Sequence, residues 1–390
     1  MSATGLGGTG LRVFIVAGEP SGDLLGGRLM AALRERLRGE VVFGGLGGER
    51  MADEGLDSPF SIDELSVMGL LEVLPRAPQL LRRISEMAAR ARAFHPDVMI
   101  TIDSPGFTFR LAERLKAARF PKIHYVAPQA WAWRPKRAAK LHRLFDHMLA
   151  LLPFEPEWFK PYGIATTFVG HSVIEGGAGQ GDGRRFRLRH GMQGRPLLVV
   201  LPGSRRGELK RHLPVFRDTV ALLRQRRPDL GVVLPTLGHL APTVTEAAKG
   251  WADVILTDQD EKFDAFAAAD IALAASGTVA LELALARTPH VVAYRVNPLT
   301  AAIARRLLTV RYVNLMNLVL DRPIVPELLQ EHCNPPELAA ALDRLADGGP
   351  ARAAQIGAAE ELASRLGAGG VRPSLRAADA VLSAIGYRRH

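Results

Sequence analysis

Short apolar runs alternate with segments of helical periodicity along most of the chain. RVFIVA, VVFGGLG, DVMITID, KIHYVAP, HMLALLP and TTFVG read as strands in the first half, and PLLVVLPGS, GVVLPTL, DVILTD, DIALAAS and HVVAY in the second. Segments between them, such as LLGGRLMAALRERLRG and PVFRDTVALLRQRRPDL, carry apolar residues at helical spacing. This alternation predicts an α/β fold of parallel sheets with helices on both faces. The rhythm breaks once, at GGAGQGDGRRFRLRHGMQGRP (176–196), which is Gly-rich, polar and basic, with a new strand directly after it. It reads as a linker between two Rossmann-like domains, 1–175 and 197–348, with C-terminal helices over 349–390. The two domains are expected to face each other across a cleft, with a ligand beyond the carboxyl ends of the strands.

Chemistry is therefore expected in the loop just after each strand. After the first comes AGEPSGDLLGG, whose glycines 18, 22, 26 and 27 lack both the dinucleotide spacing and the Gly-Lys-Ser/Thr of a Walker A loop. It either lets the backbone approach a ligand, with Glu19, Ser21 and Asp23 as polar groups, or is a tight turn that binds nothing. After PLLVVL, Pro202, Gly203 and Ser204 make a turn before a helical pattern that begins near Arg205. Free amides, a hydroxyl and a guanidinium converge there, a setting for phosphate; a capped helix with a solvent-facing Arg205 is the plainer alternative. After DIALAA, Ser276, Gly277 and Thr278 supply a second set of amides at a positive helix end. Glu282, one turn on among apolar neighbours, needs a partner, either a ribose diol or a nearby Arg. Two anion-ready loops in one half point to a diphosphate, hence a nucleotide.

In the first half, DVMITIDSPGFTF puts Asp103 just past a strand end, as a general base or as a helix cap. KIHYVAPQAWAWRPKR carries His124, Gln129, Trp131, Trp133 and Arg134, aromatics that either stack on a sugar or base or anchor a loop. Within residues 57–84, Val67, Met68, Leu70, Leu71, Val73, Leu74, Leu80 and Leu81 crowd around Arg76, Arg82 and Arg83. That stretch is either an ordinary buried helix or a surface that lies on a bilayer or holds an acyl chain.

Composition narrows the class. The chain has 390 residues, 47% of them apolar, enough for two domains with separate cores. Cys333 is the only cysteine, which leaves no disulfide framework or cysteine-based metal site and fits a reducing compartment. The start MSATGLGGTGLR has no apolar core after a basic stretch, so no signal peptide is expected, and no run approaches the ~20 apolar residues of a spanning helix. A net charge of +10 is either a merely solvated Arg-rich surface or a sign of anionic partners, lipid or phosphorylated metabolite rather than nucleic acid, for which no motif is present.

VAGEPSGDLLGG, SVMGLLEVL, ITIDSPGF, IHYVAPQAWAWRPKR, LLPFEPEWF, FVGHSV, VVLPGSRRGEL, ALAASGTVALELALARTPHVVAYRVNPLT and RYVNLMNLVLDRPIVPELLQEHC occur in this order. Together they closely resemble the lipid-A-disaccharide synthase family, from about Arg12 to about Gly348. One departure stands out: where the family often has a second Asp and then Phe-Asn, this chain has Gly106, Phe107 and Thr108. The resemblance implies a metal-independent, cofactor-free inverting glycosyltransferase of the two-Rossmann (GT-B) type. Its donor is UDP-2,3-diacylglucosamine and its acceptor is 2,3-diacylglucosamine 1-phosphate (lipid X). The products are the β-1,6 tetraacyl disaccharide 1-phosphate and UDP. It further implies work at the inner face of the cytoplasmic membrane, and a possible homodimer with exchanged C-terminal parts, unless residues 349–390 pack back on their own first domain.

On that resemblance, Asp103, Glu19 and Arg205 are the catalytic candidates, with Asp103 the base. Ser204, Arg205, Ser276, Gly277, Thr278, Glu282, Tyr294, Arg295 and Asn317 form the donor side. Ser21, Asp23, His124 and Gln129 form the acceptor side, with Glu19 and His124 as the other groups able to take the proton. Leu70, Leu71, Val73, Leu74, Leu80 and Leu81 meet the membrane or the acyl chains. A UDP-sugar epimerase on the same fold and a non-catalytic nucleotide-sugar or lipid-binding protein are the alternatives.

Overall fold

The computed structural model describes residues 10–38, 40–65, 70–133, 135–236, 238–251 and 254–387. It divides into two compact units. One comprises the chain up to Ser172 together with Gly367–His390, and the other Val173–Leu366.

The first unit is built on a six-stranded parallel sheet of β1 (Leu11–Ala17), β2 (Val41–Leu46), β3 (Val98–Ile102), β4 (Lys122–Tyr125), β5 (His147–Ala150) and β6 (Thr166–Phe168), in the order β2-β1-β3-β4-β5-β6. β3, all apolar except Thr101, is buried along its whole length, as a central strand covered on both faces must be. The direction of strand addition reverses between β1 and β3, which pair directly. In open parallel sheets such a reversal is where ligands bind, at the carboxyl ends of the strands.

The C-terminal helix Pro373–Ala384 belongs to this unit. Its Leu375, Ala377, Ala378 and Val381 share a core with Leu25, Leu29 and Leu33 of the helix Pro20–Leu37. Arg36 adds a two-pronged pair to Asp379 at 2.7 and 2.8 Å, but that pair is exposed and the apolar burial carries the contact.

The second unit repeats the plan with β7 (Leu197–Leu201), β8 (Gly231–Pro235), β9 (Val254–Thr257), β10 (Ile271–Ala274), β11 (His290–Tyr294) and β12 (Glu327–Leu329). Their order, β12-β11-β10-β7-β8-β9, puts the reversal between β7 and β10. β12 escaped the sequence pattern because it is three residues long, half-buried and at the sheet edge. The remaining strands match the apolar runs.

Residues 176–196 are not the linker that their composition suggests. They belong to the second unit and form the helix Gly183–Arg189, capped by the Asp182 carboxylate, which accepts from Arg185 N at 2.9 Å. Phe186 is buried against Ala265 and Phe266, and Asp264 accepts from both Asp182 N and the Arg185 guanidinium. The glycines serve close approach rather than flexibility: a Cβ on Gly181 would lie 2.0 Å from the Phe263 carbonyl oxygen, and one on Gly183 2.4 Å from that of Ala267. The chain changes unit instead at Ser172/Val173 and Leu366/Gly367.

Candidate active site

In the first unit Ala17 and Ile102 are register partners at the ends of β1 and β3, so the residues just beyond them emerge side by side. These are Gly18 and Glu19 on one strand and Asp103 and Ser104 on the other. Ser104 Oγ donates to Glu19 Oε1 at 3.2 Å. A Cβ on Gly18 would sit 2.9 Å from that hydroxyl oxygen, so the contact requires glycine.

Asp103 and Ser104 are both left-handed, at φ 48° and 46°, a conformation that costs a non-glycine residue roughly 1–3 kcal/mol. Three bonds hold them there. Asp103 N donates to Tyr125 O at 3.0 Å, and Thr108 Oγ1 donates to the carbonyls of Asp103 at 2.7 Å and Ser104 at 3.0 Å. The N-cap position of the helix Pro105–Arg114 falls to Ser104, so Asp103 is not the cap. Burial pushes the Asp103 carboxyl above the usual carboxylate range, partly offset by the Ser104 amide. A raised carboxyl is a better proton acceptor near neutral pH. The unusual Gly106 and Thr108 fit this local structure: Thr108 braces the strained turn, and a Cβ on Gly106 would meet nothing within 4 Å.

In the second unit Leu201 and Ala274 are register partners, and Ala275 N donates to Leu201 O at 2.8 Å. The loops from Pro202 to Arg205 and from Ser276 to Thr278 are thus neighbours at the reversal point. Each opens a helix, Arg206–Arg226 and Thr278–Leu285, whose free N-terminal amides favour an anion. Gly203 has φ 124° and Gly277 has φ 134°, both unsuited to a side chain. Arg205 is exposed, with its guanidinium 3.9 Å from Glu208 Oε1. Glu282 is paired with Lys262 Nζ at 2.6 Å, so the partner it required is a lysine and not an arginine.

Several expected site residues lie elsewhere or are committed to the fold. His124 is 1% exposed, wedged between Phe109 and Phe145, with Nδ1 2.8 Å from Thr101 Oγ1. Burial pushes its pKa down to about 3, so it is a neutral core group and not a base or acceptor contact. The Asp23 carboxylate is buried and accepts from the amides of Gly48, Arg50 and Met51 at 2.7–3.0 Å, which fixes the start of the helix Glu49–Asp53. Ser21 and Gln129 are exposed. Asn317 is buried with its amide fully engaged: Nδ2 donates to Val325 O and Glu327 Oε1, and Oδ1 accepts from the amides of Ile324 and Val325. Arg295 donates to the carbonyls of Gln330 and Cys333, closing a turn. Asn317 and Arg295 are thus engaged in shaping the second unit's own loops.

The family model of lipid-A-disaccharide synthetase matches residues 13–365. The chain is 54% identical over 384 residues to the lipid-A-disaccharide synthase of Rhodospirillum centenum, covering 97% of this chain and 96% of that protein. With the corresponding synthase of Paramagnetospirillum magneticum the identity is 52% over 379 residues, covering 96% and 97%. The chain belongs to the lipid-A-disaccharide synthetase family. As such it is a glycosyltransferase. Among solved structures, the UDP complex of S. aureus MnaA aligns at a TM-score of 0.69, covering 97% of this chain and 98% of that one, at 13% identity. The kitacinnamycin glycotransferase aligns at 0.60, covering 97% and 99%, at 18% identity. These likenesses establish the GT-B fold. Epimerases appear among them only at fold level, which does not favour the epimerase alternative against relatives 52–54% identical.

Two residues of this family member were missed from the sequence. Glu208 accepts from Ser204 N and from the Tyr294 hydroxyl, each at 2.9 Å, and its side chain packs where a Cβ on Gly203 would be. It shapes the loop that carries Arg205, and burial, together with the Glu208 carboxylate, pushes the Tyr294 hydroxyl up to about 12. Its one cue was its place four residues after Ser204. Glu155, 2% exposed, accepts from Trp131 Nε1 at 3.0 Å and Leu152 N at 2.9 Å, and burial pushes its carboxyl up to about 7. Trp131 is therefore a loop anchor; Arg134 and the side chain of Trp133 lie outside the described residues.

Of the expected membrane stretch, Val67 and Met68 lie outside the described residues, as do the side chains of Leu70, Leu71, Val73 and Leu74 in the helix Leu70–Phe94. Leu80 packs on the core with Ile84 and Phe60, while Leu81 is exposed. Among the described residues no helix is long and apolar enough to cross a membrane.

Proposed function

We propose that the protein transfers 2,3-diacylglucosamine, with inversion, from UDP-2,3-diacylglucosamine to the 6-hydroxyl of lipid X. Asp103 takes the hydroxyl proton as the acceptor oxygen bonds to the anomeric carbon. The bond from that carbon to the diphosphate oxygen breaks, and its electron pair leaves with UDP. Transition states of this kind are oxocarbenium-like and need charge stabilised at the leaving group. Arg205, the Ser204 hydroxyl and the amides of Ser276, Gly277 and Thr278 take that charge. Glu282, its Oε2 paired with Lys262, takes the ribose with its other carboxylate oxygen, and Glu19, joined to Asp103 through Ser104, borders the sugar, with Ser21 and Gln129 toward the acceptor.

Membership of the family supports the reaction class. The single observation that carries the assignment of roles is Asp103, a strained, half-buried carboxylate at the reversal point of its sheet. The same reading includes peripheral attachment to anionic lipids on the inner face of the cytoplasmic membrane. It also includes a homodimer in which C-terminal parts are exchanged, the apolar seat on the helix Pro20–Leu37 being one that a second copy's tail can fill.

The test is mass-spectrometric detection of products from UDP-2,3-diacylglucosamine with and without lipid X. The transferase forms the disaccharide 1-phosphate and UDP only with both substrates. An altered donor formed without lipid X indicates an epimerase, and binding without turnover a non-catalytic protein.

A further inference from the structure

Leu307 and Leu308 are 38% and 43% exposed and adjacent in sequence, at the end of the helix Pro298–Leu307. They sit within ARRLLTVR, where Arg305, Arg306 and Arg311 are all exposed and no acidic residue occurs. Two leucines in water beside a cluster of cations form the pattern of a segment that lies at an anionic lipid surface.

Its place in the second unit strengthens this. The helix comes after β11, and β11 pairs with β10, whose carboxyl end carries the Ser276–Thr278 loop. Arg305 then donates to Glu331, at 2.7 Å to Oε1, and Glu331 lies two residues past the carboxyl end of β12. The ion pair holds the leucines at the same end of the sheet as the proposed diphosphate loops. Arg311 lies over the Tyr312 ring, 5.2 Å from its centroid, and that ring is buried, so the cation is anchored rather than free-swinging.

We propose that residues 306–311 are a contact for the anionic surface of a bilayer, carried by the donor-binding unit and separate from the residue 67–81 stretch of the other unit. This deepens the proposed function and rests on it. A donor with two acyl chains on its sugar must be taken from a membrane by the unit that holds its diphosphate, and that unit then has its own lipid contact.

The experiment is co-sedimentation of the full chain with vesicles of phosphatidylcholine alone or mixed three to one with phosphatidylglycerol. Wild type is compared with Leu307→Gln/Leu308→Gln and with Arg306→Gln/Arg311→Gln. Each arginine near an anionic surface contributes about fivefold, so the arginine pair should weaken partition to the anionic vesicles on the order of thirtyfold, with little change on neutral ones. The leucine pair should weaken both. UDP release from detergent-dispersed donor and lipid X should stay at the wild-type level in both variants, which shows that they are folded. Wild-type partition in both variants overturns the proposal. So does a loss of self-association in sedimentation velocity without loss of vesicle binding, which would assign the leucines to a second copy. Absence of wild-type UDP release in detergent defeats the proposed reaction instead and leaves the partition result to be read alone.

Discussion

The two reversal points have the same topology and opposite electrostatics. In the first unit the loops after β1 and β3 present carboxylates, Glu19 and Asp103, joined through Ser104. In the second the loops after β7 and β10 present amides, hydroxyls and Arg205. The backbones differ to match. The second unit places glycines, Gly203 and Gly277, where φ is positive, which leaves backbone and no side chain at those two points. The first places Asp103 and Ser104 at positive φ, where glycine would be easier, and so keeps at the reversal point the side chains that the proposed reaction uses. The fold thus supplies the location, and the choice between glycine and a strained polar residue decides which chemistry occupies it.

Substitutions can break this contrast. The largest effect is expected at Asp103: Asp103→Asn keeps the shape and removes the base, so turnover should fall ~10²–10⁴-fold in steady-state assays at saturating donor. Next is Gly203→Ala. Its Cβ would lie 2.5 Å from Glu208 Oε2, in addition to the φ penalty, and either Glu208 or the Arg205 loop must shift. Donor KM should rise about tenfold, and stability should fall by roughly 1–3 kcal/mol in urea titrations. Gly277→Ala, with nothing within 4 Å of its Cβ, should lose only the strain part.

Glu155 sharpens the contrast, since it is a buried acid away from the reversal point. Its folded carboxyl sits at about 7 against an ordinary 4.5, so burial favours the protonated form. The stability it contributes is complete below pH 4.5 and is lost as pH rises through 7. Glu155→Gln should lack this loss. Between pH 4.5 and pH 7 the stability difference should shift in favour of the variant by on the order of 3 kcal/mol, while turnover stays within severalfold. A difference that does not move with pH contradicts it. The smallest effect is expected for Gly106→Asp, which puts an acidic residue at an open first-turn position; melting curves should show a change within about 0.5–1 kcal/mol.

Much of this plan could be read from the chain. Eleven of the strands, the loops at their ends and Asp103, Arg205 and the Ser276–Thr278 turn are local features, set by apolar runs and the residues next to them. The features that could not be read depend on direction or on partners far along the chain. His124 lies in a strand beside the right loop, but its ring points into the Phe109–Phe145 core. Asp23 resembles a ligand-loop acid until the helix 25 residues away supplies three amides. Ser104 matters because Glu19 is 85 residues away in sequence. The glycines near 181 read as part of a linker because glycine serves looseness and close contact equally well.

The division of labour between the two units is tested most directly by calorimetry with UDP as the probe, on wild type, Asp103→Asn and Arg205→Ala. Charge-assisted hydrogen bonds to phosphate are worth roughly 1.5–3 kcal/mol, so Arg205→Ala should weaken UDP binding by about 10- to 150-fold. Asp103→Asn should bind UDP as wild type does. If Asp103→Asn loses UDP while Arg205→Ala keeps it, the diphosphate belongs to the first unit and the assignment of roles is wrong.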